Sequence, residues 1–201
     1  MSFNKVKNNL ENLGYAVSVF EKSSHAVDYL DKSIDGKSVG FAGSVTLTQM
    51  GLYDRLSSHN IVTSHGRIPK GSTDKDMRMA SHKAQIYISS VNALAESGEI
   101  INIDATCNRV ASVFYGHEKV FLVIGKNKVA ADYEKALWRA RNIASPKNAK
   151  RLGVKTPCAE KADKCYNCKS PQRICRALTV LWEKPLASDI EILLINEDLG
   201  Y

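Results

Sequence analysis

Apolar residues recur along this chain with two different spacings, and the alternation of these spacings predicts an alternation of helices and strands. The segment from Phe3 to Leu13 carries apolar side chains at three- and four-residue intervals, which indicates an amphipathic helix. The segment from Lys119 to Ile124 is uniformly apolar, as expected of a strand buried on both faces. The other predicted strands are 15–20, 38–41, 61–63, 86–88, 100–103, 174–182 and 190–195, and the other predicted helices are 23–34, 47–56, 74–83 and 133–144.

Short strands that alternate with helices predict one α/β domain over residues 1–201, a three-layer α/β/α sandwich with a mostly parallel sheet. The runs Ile86–Ile88 and Ile100–Ile103 are expected to pair as strands across the Gly-containing turn at 96–98. Pro146 is expected to end the helix that precedes it.

Segment 156–176 interrupts this alternation, because it is rich in Cys, Lys and Pro and poor in apolar residues. It cannot contribute much to a hydrophobic core, so another interaction must order it. Four of its residues form the pattern Cys-x6-Cys-x2-Cys-x6-Cys, and they are Cys158, Cys165, Cys168 and Cys175. Four such thiols in a chain without a secretion signal favour zinc or a 4Fe-4S cluster over structural disulfides. Reduced thiols and redox-active disulfides are the alternatives.

Two polar loops follow predicted strands, and strand ends are where open α/β sheets bind ligands. In the first loop, Gly40 and Gly43 would let the chain approach a ligand, and Ser44 precedes a predicted helix whose free N–H groups could receive an anion. The alternative is a tight turn in which Ser44 only caps that helix. His65 follows a third predicted strand and could also reach a ligand, although a solvated loop histidine is more common.

The second loop follows the predicted strand Ile100–Ile103 and concentrates polar side chains. Asp104 is a candidate general base or acceptor of a sugar hydroxyl, and Arg109 offers a planar fork for carboxylate or phosphate. The alternative is that Asp104 caps the next helix and pairs with Arg109. Cys107 is a candidate nucleophile, but a small buried cysteine is the simpler interpretation. The residues expected to bind the ligand are Gly40, Gly43, Ser44, Asn92, Asp104, Thr106, Asn108 and Arg109.

The charge of the chain is compatible with an anionic ligand. Its 28 Lys and Arg residues exceed its 21 Asp and Glu residues and give a formal net charge of +7. The basic residues are spread along the chain without a cluster or interleaved aromatics, which argues against nucleic-acid binding. No apolar run approaches the ~20 residues that span a bilayer, and the first residues lack the apolar core of a signal peptide. We therefore expect a cytoplasmic protein whose ligand carries a carboxylate or phosphate.

Five segments have a combination of residues that resembles the LUD (lactate utilisation) domain family, which is related to the LutC subunit. They cover nearly the whole chain and are 40–53 (GFAGSVTLTQMGLY), 89–109 (SSVNALAESGEIINIDATCNR), 125–127 (GKN), 141–153 (RNIASPKNAKRLG) and 156–176 (TPCAEKADKCYNCKSPQRICR). The resemblance implies the fold of the superfamily of ribose-phosphate isomerases, glucosamine-phosphate deaminases and CoA-transferases. In related sugar-phosphate isomerases and initiation factor 2B subunits, a segment similar to 92–106 borders the ligand pocket.

The resemblance also implies a function, since the family is linked to oxidation of L-lactate to pyruvate in a complex whose partner subunits carry iron–sulfur clusters. The family pattern Asp-Gly-Thr-Gly-Asn-Arg is changed here, because Ala105 and Cys107 replace both glycines. We expect a subunit or accessory of organic-acid oxidation with an iron–sulfur oxidoreductase as partner, and assembly into a homo-oligomer stays open. The alternatives are a stand-alone enzyme on sugar phosphates or acyl-CoA, and a redox- or metal-sensing scaffold.

Overall fold

The computed structural model describes residues 3–201 and contains a six-stranded sheet in which every neighbouring pair of strands is parallel. Its strand order is β1-β10-β7-β4-β2-β3. The strands are β1 (Ala16–Phe20), β2 (Ser38–Phe41), β3 (Ile61–Ser64), β4 (Ile86–Ser89), β7 (Lys119–Gly125) and β10 (Ile190–Ile195). This sheet, with helices on both faces, confirms the predicted three-layer α/β/α class.

The central strands β7 and β10 alternate their side chains between two hydrophobic cores. Leu122 and Ile124 of β7 belong to one core, which includes Leu10 of the first helix, while Val123 belongs to the core on the opposite face with Leu30. Because both faces are covered, these strands are apolar over 120–125 and 192–195, as the sequence predicted for the strand in 119–124.

The helices are mostly short, and the breaks between them have local causes. They are α1 (Asn4–Asn12), α2 (Ser23–Ser33), α3 (Val45–Gln49), α4 (Leu52–Leu56), α5 (Asp74–His82), α6 (Asn108–Phe114), α7 (Tyr133–Arg139), α8 (Ser145–Arg151) and α9 (Pro157–Lys161). The single helix predicted over 47–56 is two helices, because Gly51 adopts a left-handed conformation with φ of 63°.

Pro146 does not end the helical segment, contrary to the sequence prediction. A π-helical turn at 140–144 follows α7, and Pro146 then occupies the first turn of α8. A proline is tolerated in a first helical turn, where its missing N–H is not needed by the helix. The chain therefore continues as a bent helix to Arg151.

A second, four-stranded sheet was not predicted, and it corrects the expected strand pairing. Its order is β8-β5-β6-β9, with β5 (Ala93–Ala95), β6 (Ile100–Asp104), β8 (Val129–Ala130) and β9 (Ala177–Leu181). The turn at 96–98 does join two antiparallel strands, but they are β5 and β6. The run Ile86–Ile88 pairs instead with β2 and β7 in the main sheet, since the chain leaves that sheet at Ser90 and enters the second one.

None of the helices within residues 3–201 combines the length and hydrophobicity that a bilayer-spanning segment requires.

Candidate functional site

A cleft of about 240 Å³ opens where several strands of the main sheet reach their carboxyl ends. Loops after β2, β3, β4, β7 and β10 contribute to its walls, and the loop after β6 of the second sheet closes one side. In a parallel sheet, such an edge gathers loops from distant parts of the chain at one place. Ser44, which follows β2 of the main sheet, and Arg109, which follows β6 of the second sheet, line the same cleft although 64 residues separate them.

The cleft contains seven of the eight residues predicted to bind a ligand. They are Gly43, Ser44, Asn92, Asp104, Thr106, Asn108 and Arg109. Gly40 is not among the lining residues, because it lies inside β2 beneath helix α5. A Cβ atom at Gly40 would come within 2.3 Å of the carbonyl oxygen of Ser81, so glycine is needed there for helix–sheet packing.

Asp104 organises the loop that follows β6. Its Oδ1 accepts hydrogen bonds from three successive backbone N–H groups, those of Ala105, Thr106 and Cys107, at 2.7, 3.2 and 3.1 Å. Its Oδ2 accepts from Nε of Arg109 at 3.2 Å. Both carboxylate oxygens are thus occupied in holding the turn, and the carboxylate is 9% exposed. This geometry resembles a structural cap more than a free general base.

Cys107 takes a backbone conformation that favours glycine, the residue that the family resemblance led us to expect at this position. It adopts φ of 63°, in the left-handed region that glycine enters without steric cost, whereas Ala105 has no such conformation. The thiol of Cys107 is half-buried and forms no disulfide. The backbone at position 107 therefore favours glycine, whereas that at position 105 does not.

Arg109 connects three segments that border the cleft. Its Nη2 donates to Oδ1 of Asn92 at 2.9 Å and to the carbonyl oxygen of Ile103 at 2.7 Å, while Nε holds Asp104. Within residues 3–201, Nη1 has no such partner. One edge of the guanidinium is therefore fixed by the protein, and Nη1 is available to a ligand.

Arg78 of α5 adds a second guanidinium to the lining of the cleft. Its Nη1 donates to Oγ1 of Thr106 at 2.5 Å and to Oδ1 of Asn108 at 3.1 Å, and its Nε donates to Asp74 at 2.7 Å. Thr106 also donates to Asn108 at 2.6 Å. These bonds tie α5 to the loop after β6 and hold a positive charge beside it.

The floor of the cleft contains Lys128, which was not predicted. Its side chain is 4% exposed, and Nζ donates to Oγ1 of Thr46 and to Oγ of Ser90, each at 2.8 Å. Burial, assisted by the nearby charges of Arg139 and Arg109, lowers the pKa of Lys128 to about 7. The sequence did contain a signal for Lys128, namely its position soon after β7. This strand is buried on both faces, and it ends at the edge of the sheet where the cleft opens.

His65 also lines the cleft, as its position after β3 suggested. Its Nδ1 is buried without a hydrogen-bond partner among the described residues. Burial lowers the pKa of His65, and the positive charge of Arg78 lowers it further. A Cβ atom on Gly43 would approach Nε2 of His65 to 2.9 Å. A side chain at position 43 would therefore have to displace the imidazole of His65.

The four-cysteine segment, residues 156–176, lies beside the cleft and forms a separate feature. All four predicted thiols line one cavity of about 10 Å³, and none forms a disulfide. Cys165 is the most restrained, since its Sγ accepts from the N–H of Asn167 at 3.4 Å and its own N–H donates to Asn142. Arg173 links two other cysteines of the segment by donating to the carbonyl oxygens of Cys168 and Cys175.

The arrangement of these thiols does not support the predicted metal site. Among residues 3–201, no group of three or more His, Cys, Asp or Glu side chains is placed so that it could hold a metal ion.

On the outer side of the segment, Trp138 shares a surface hollow with Cys165 and is 59% exposed.

Comparison with known proteins gives a family and a fold. The sequence profile of the LUD domain matches residues 3–195. The structure is similar to that of a DUF162 family protein from Deinococcus radiodurans, with a TM-score of 0.54 and 11% identity over 97% of this chain and 99% of that chain. At this identity the similarity shows the fold alone. No curated protein matches the sequence.

Two structures of translation initiation factor subunits from Chaetomium thermophilum are less similar. eIF2B beta gives a TM-score of 0.39 at 13% identity, over 58% of this chain and 42% of that chain. eIF2B delta gives 0.37 at 13% identity, over 66% of this chain and 54% of that chain. Similarity at this level supports no inference about function.

Proposed function

Since the chain belongs to the LUD domain family and carries a basic cleft, we propose that it binds an anionic small molecule as a subunit or accessory of organic-acid oxidation. The acid proposed is L-lactate or a close relative, with pyruvate as the oxidised product. The family supports the metabolic context, and the cleft supports the charge of the ligand.

The charge of the cleft is the observation that carries this proposal. Among the described lining residues, the guanidinium groups are those of Arg78, Arg109 and Arg151, the amine of Lys128 lies beside them, and the one carboxylate side chain is that of Asp104. The hydrogen bonds of Asp104 to backbone N–H groups and to Arg109 already offset its charge. An entering carboxylate or phosphate would therefore meet an excess of positive charge in a partly desolvated site, where electrostatic attraction is stronger than in bulk water.

Charged hydrogen bonds to guanidinium groups would then set the orientation of the ligand. Nη1 of Arg109 can donate to a carboxylate or phosphate oxygen, and the side-chain amide nitrogen of Asn92 has no hydrogen-bond partner among residues 3–201. Both groups are held in place by bonds to the protein at their other atoms. A preorganised site of this kind loses little side-chain entropy on binding.

Calorimetric titration tests the proposal directly. The probes are L-lactate, pyruvate, inorganic phosphate, ribose 5-phosphate and acetyl-CoA. We expect at least one small acid to bind, and we expect R78M and R151M each to weaken binding by about tenfold through loss of one charged contact, about 1.4 kcal/mol. K32A removes an exposed cation on α2 away from the cleft and serves as the matched control. Failure of every probe to bind, or equal losses in K32A, would overturn the proposal.

A cellular experiment tests the metabolic part. Affinity purification is expected to recover an iron–sulfur oxidoreductase, and deletion is expected to slow growth on L-lactate. Unchanged growth together with no such partner would contradict the proposed role in lactate oxidation, whatever the cleft binds.

A stand-alone enzyme on sugar phosphates or acyl-CoA is the alternative. That alternative needs a general base, and both oxygens of its candidate, Asp104, are engaged by the loop. Turnover of ribose 5-phosphate or acetyl-CoA that D104N abolishes, with the fold intact, would favour the enzyme.

For the four-cysteine segment, we propose zinc or a 4Fe-4S cluster and a role in docking the redox partner. The donor set supports this, because four thiolates suit either group, and all four line one cavity. The thiols would have to rearrange from their present positions to bind it. Metal analysis and an anaerobic absorption spectrum are expected to show zinc or iron. Metal-free protein whose four thiols all react with iodoacetamide would instead favour the sensing scaffold.

A further inference from the structure

Lys128 differs from the other buried cation near the cleft in what surrounds its charge. Arg139 is 7% exposed, and its Nε and Nη1 donate to the carbonyl oxygens of Asn127 and Asn92, so it joins two strand-end loops. Lys128 contacts only hydroxyl groups, and none of the ion pairs among residues 3–201 includes it. A buried ammonium without a counter-ion is costly, and such a group favours its neutral form.

The hydrogen-bond directions around Nζ match a neutral amine. The hydroxyl of Ser90 donates to the carbonyl oxygen of Val123 at 2.6 Å, and that of Thr46 donates to the carbonyl oxygen of Leu199 at 3.3 Å. Because each hydroxyl has one proton, both must accept from Nζ. A neutral amine has two N–H bonds to donate, so these two contacts use both of them and leave the lone pair free. An ammonium would have a third N–H without a described partner.

The position of this amine allows its lone pair to meet a ligand bound in the cleft. Lys128 lines the same cleft as Arg78 and Arg109, and the cationic groups of Arg109 and Arg139 lie close enough to oppose protonation of Nζ. Lysines that are desolvated or placed beside other cations are the ones that attack carbonyl carbons. The guanidinium groups supply the complementary feature, a site for a carboxylate attached to that carbonyl.

We propose that Lys128 is a nucleophilic amine that forms an imine with the carbonyl carbon of a 2-oxo acid held in the cleft. This inference rests on the proposed function, since it assumes that the cleft binds a small carboxylic acid. The nitrogen lone pair forms a C–N bond while the carbonyl π electrons move to oxygen. The oxygen then leaves as water with the two hydrogens that the amine carried, and a C=N bond remains. No oxidant or reductant is needed.

Reductive trapping tests the step. The protein is incubated with pyruvate and reduced with borohydride, which adds hydride across the C=N bond and fixes the adduct on nitrogen. Peptide mass spectrometry is expected to find the adduct on Lys128 at least tenfold more often than on Lys126, which is in the same 3₁₀ turn and more exposed. K128R replaces the amine by a guanidinium, which forms no imine, and is expected to lose the adduct, while K126R is the matched control and is expected to retain it.

Binding measured in parallel separates the possible failures. If pyruvate and L-lactate bind wild-type protein but Lys128 is not labelled, or is labelled no more than Lys126, the imine is overturned and the proposed function stands. If neither acid binds and Lys128 is not labelled, both proposals fail for these acids. The ratio of labelling at Lys128 and Lys126 in the wild-type protein decides the question even if K128R does not fold.

Discussion

The basic cleft and the four-cysteine segment lie side by side, but the protein holds them in different ways. Arg109 in the cleft bonds to residues of three segments, and Arg78 joins α5 to the loop after β6. The four-cysteine segment bonds largely to itself, as when Arg173 binds the carbonyl oxygens of Cys168 and Cys175. The cleft thus takes its shape from the sheets, whereas the segment depends on local contacts.

This difference indicates that the two regions can be changed independently. A substitution of Arg109 should affect stability strongly, because this side chain supports the loops that form the cleft. A substitution in the segment should leave the fold intact, because it removes little buried apolar surface. The predictions that follow compare these two expectations.

Replacing Arg109 should have the largest effect. R109M leaves Asp104, Asn92 and the carbonyl oxygen of Ile103 without their shared donor, and we expect a loss of about 3 kcal/mol in unfolding free energy. Urea denaturation measures it. R151M removes an exposed guanidinium from the same cleft and should change stability by less than about 0.5 kcal/mol. Equal effects of the two substitutions would mean that Arg109 is not a structural link.

Replacing Lys128 should stabilise the protein in a pH-dependent way. The pKa is about 7 in the folded state and near 10.5 when unfolded, so the unfolded chain binds more protons between these values and wild-type stability rises with pH across that window. K128M lacks this term, and we expect it to be about 2 kcal/mol more stable than wild type at pH 7. Its advantage should shrink toward pH 10, as measured by urea denaturation at several pH values. A difference that does not vary with pH would show that Lys128 titrates normally.

Restoring the family glycines should have opposite effects at the two positions. C107G places glycine in a left-handed conformation that is strained for a residue with a side chain. We expect the free energy of unfolding to rise by about 0.5 kcal/mol, the difference between the steric relief and the entropic cost of glycine. A105G gains no such relief and should destabilise by about 0.5 kcal/mol. Thermal unfolding of both variants measures the difference. The same sign for both would contradict the backbone geometry of the loop.

Removing the four thiols should have the smallest effect on global stability. With Cys158, Cys165, Cys168 and Cys175 all replaced by serine, we expect a change below about 0.5 kcal/mol and unchanged acid binding in the cleft. If the wild-type protein carries metal at these thiols, proteolysis within 156–176 should be faster in the serine variant than in the wild type. Loss of ligand binding in this variant would show that the two regions are coupled.

The sequence predicted the layers and most of the cleft because both follow from local patterns. Apolar runs identify strands such as β7, and parallel strands place the loops after them at one edge, which explains the position of Ser44. Asp104 and Arg109 line the same cleft for a different reason, because they follow β6 of the second sheet. The exchange of partners between sheets could not be predicted, since Ile86–Ile88 and Ile100–Ile103 are both isoleucine-rich and only tertiary packing decides their pairing. The burial of Lys128 was also hidden, because it depends on Thr46 and Ser90 from other loops.

The exposed Trp138 beside Cys165 gives the protein its own optical reporter. The chain has two tryptophans, and the second, Trp182, is 74% exposed, so W182F leaves a single tryptophan, next to the thiol segment, which can be excited selectively near its red edge. An iron–sulfur chromophore there would quench the emission of Trp138 by energy transfer, whereas zinc, which does not absorb visible light, would leave the emission bright. One fluorescence spectrum of that variant therefore distinguishes the two occupants without disturbing the segment.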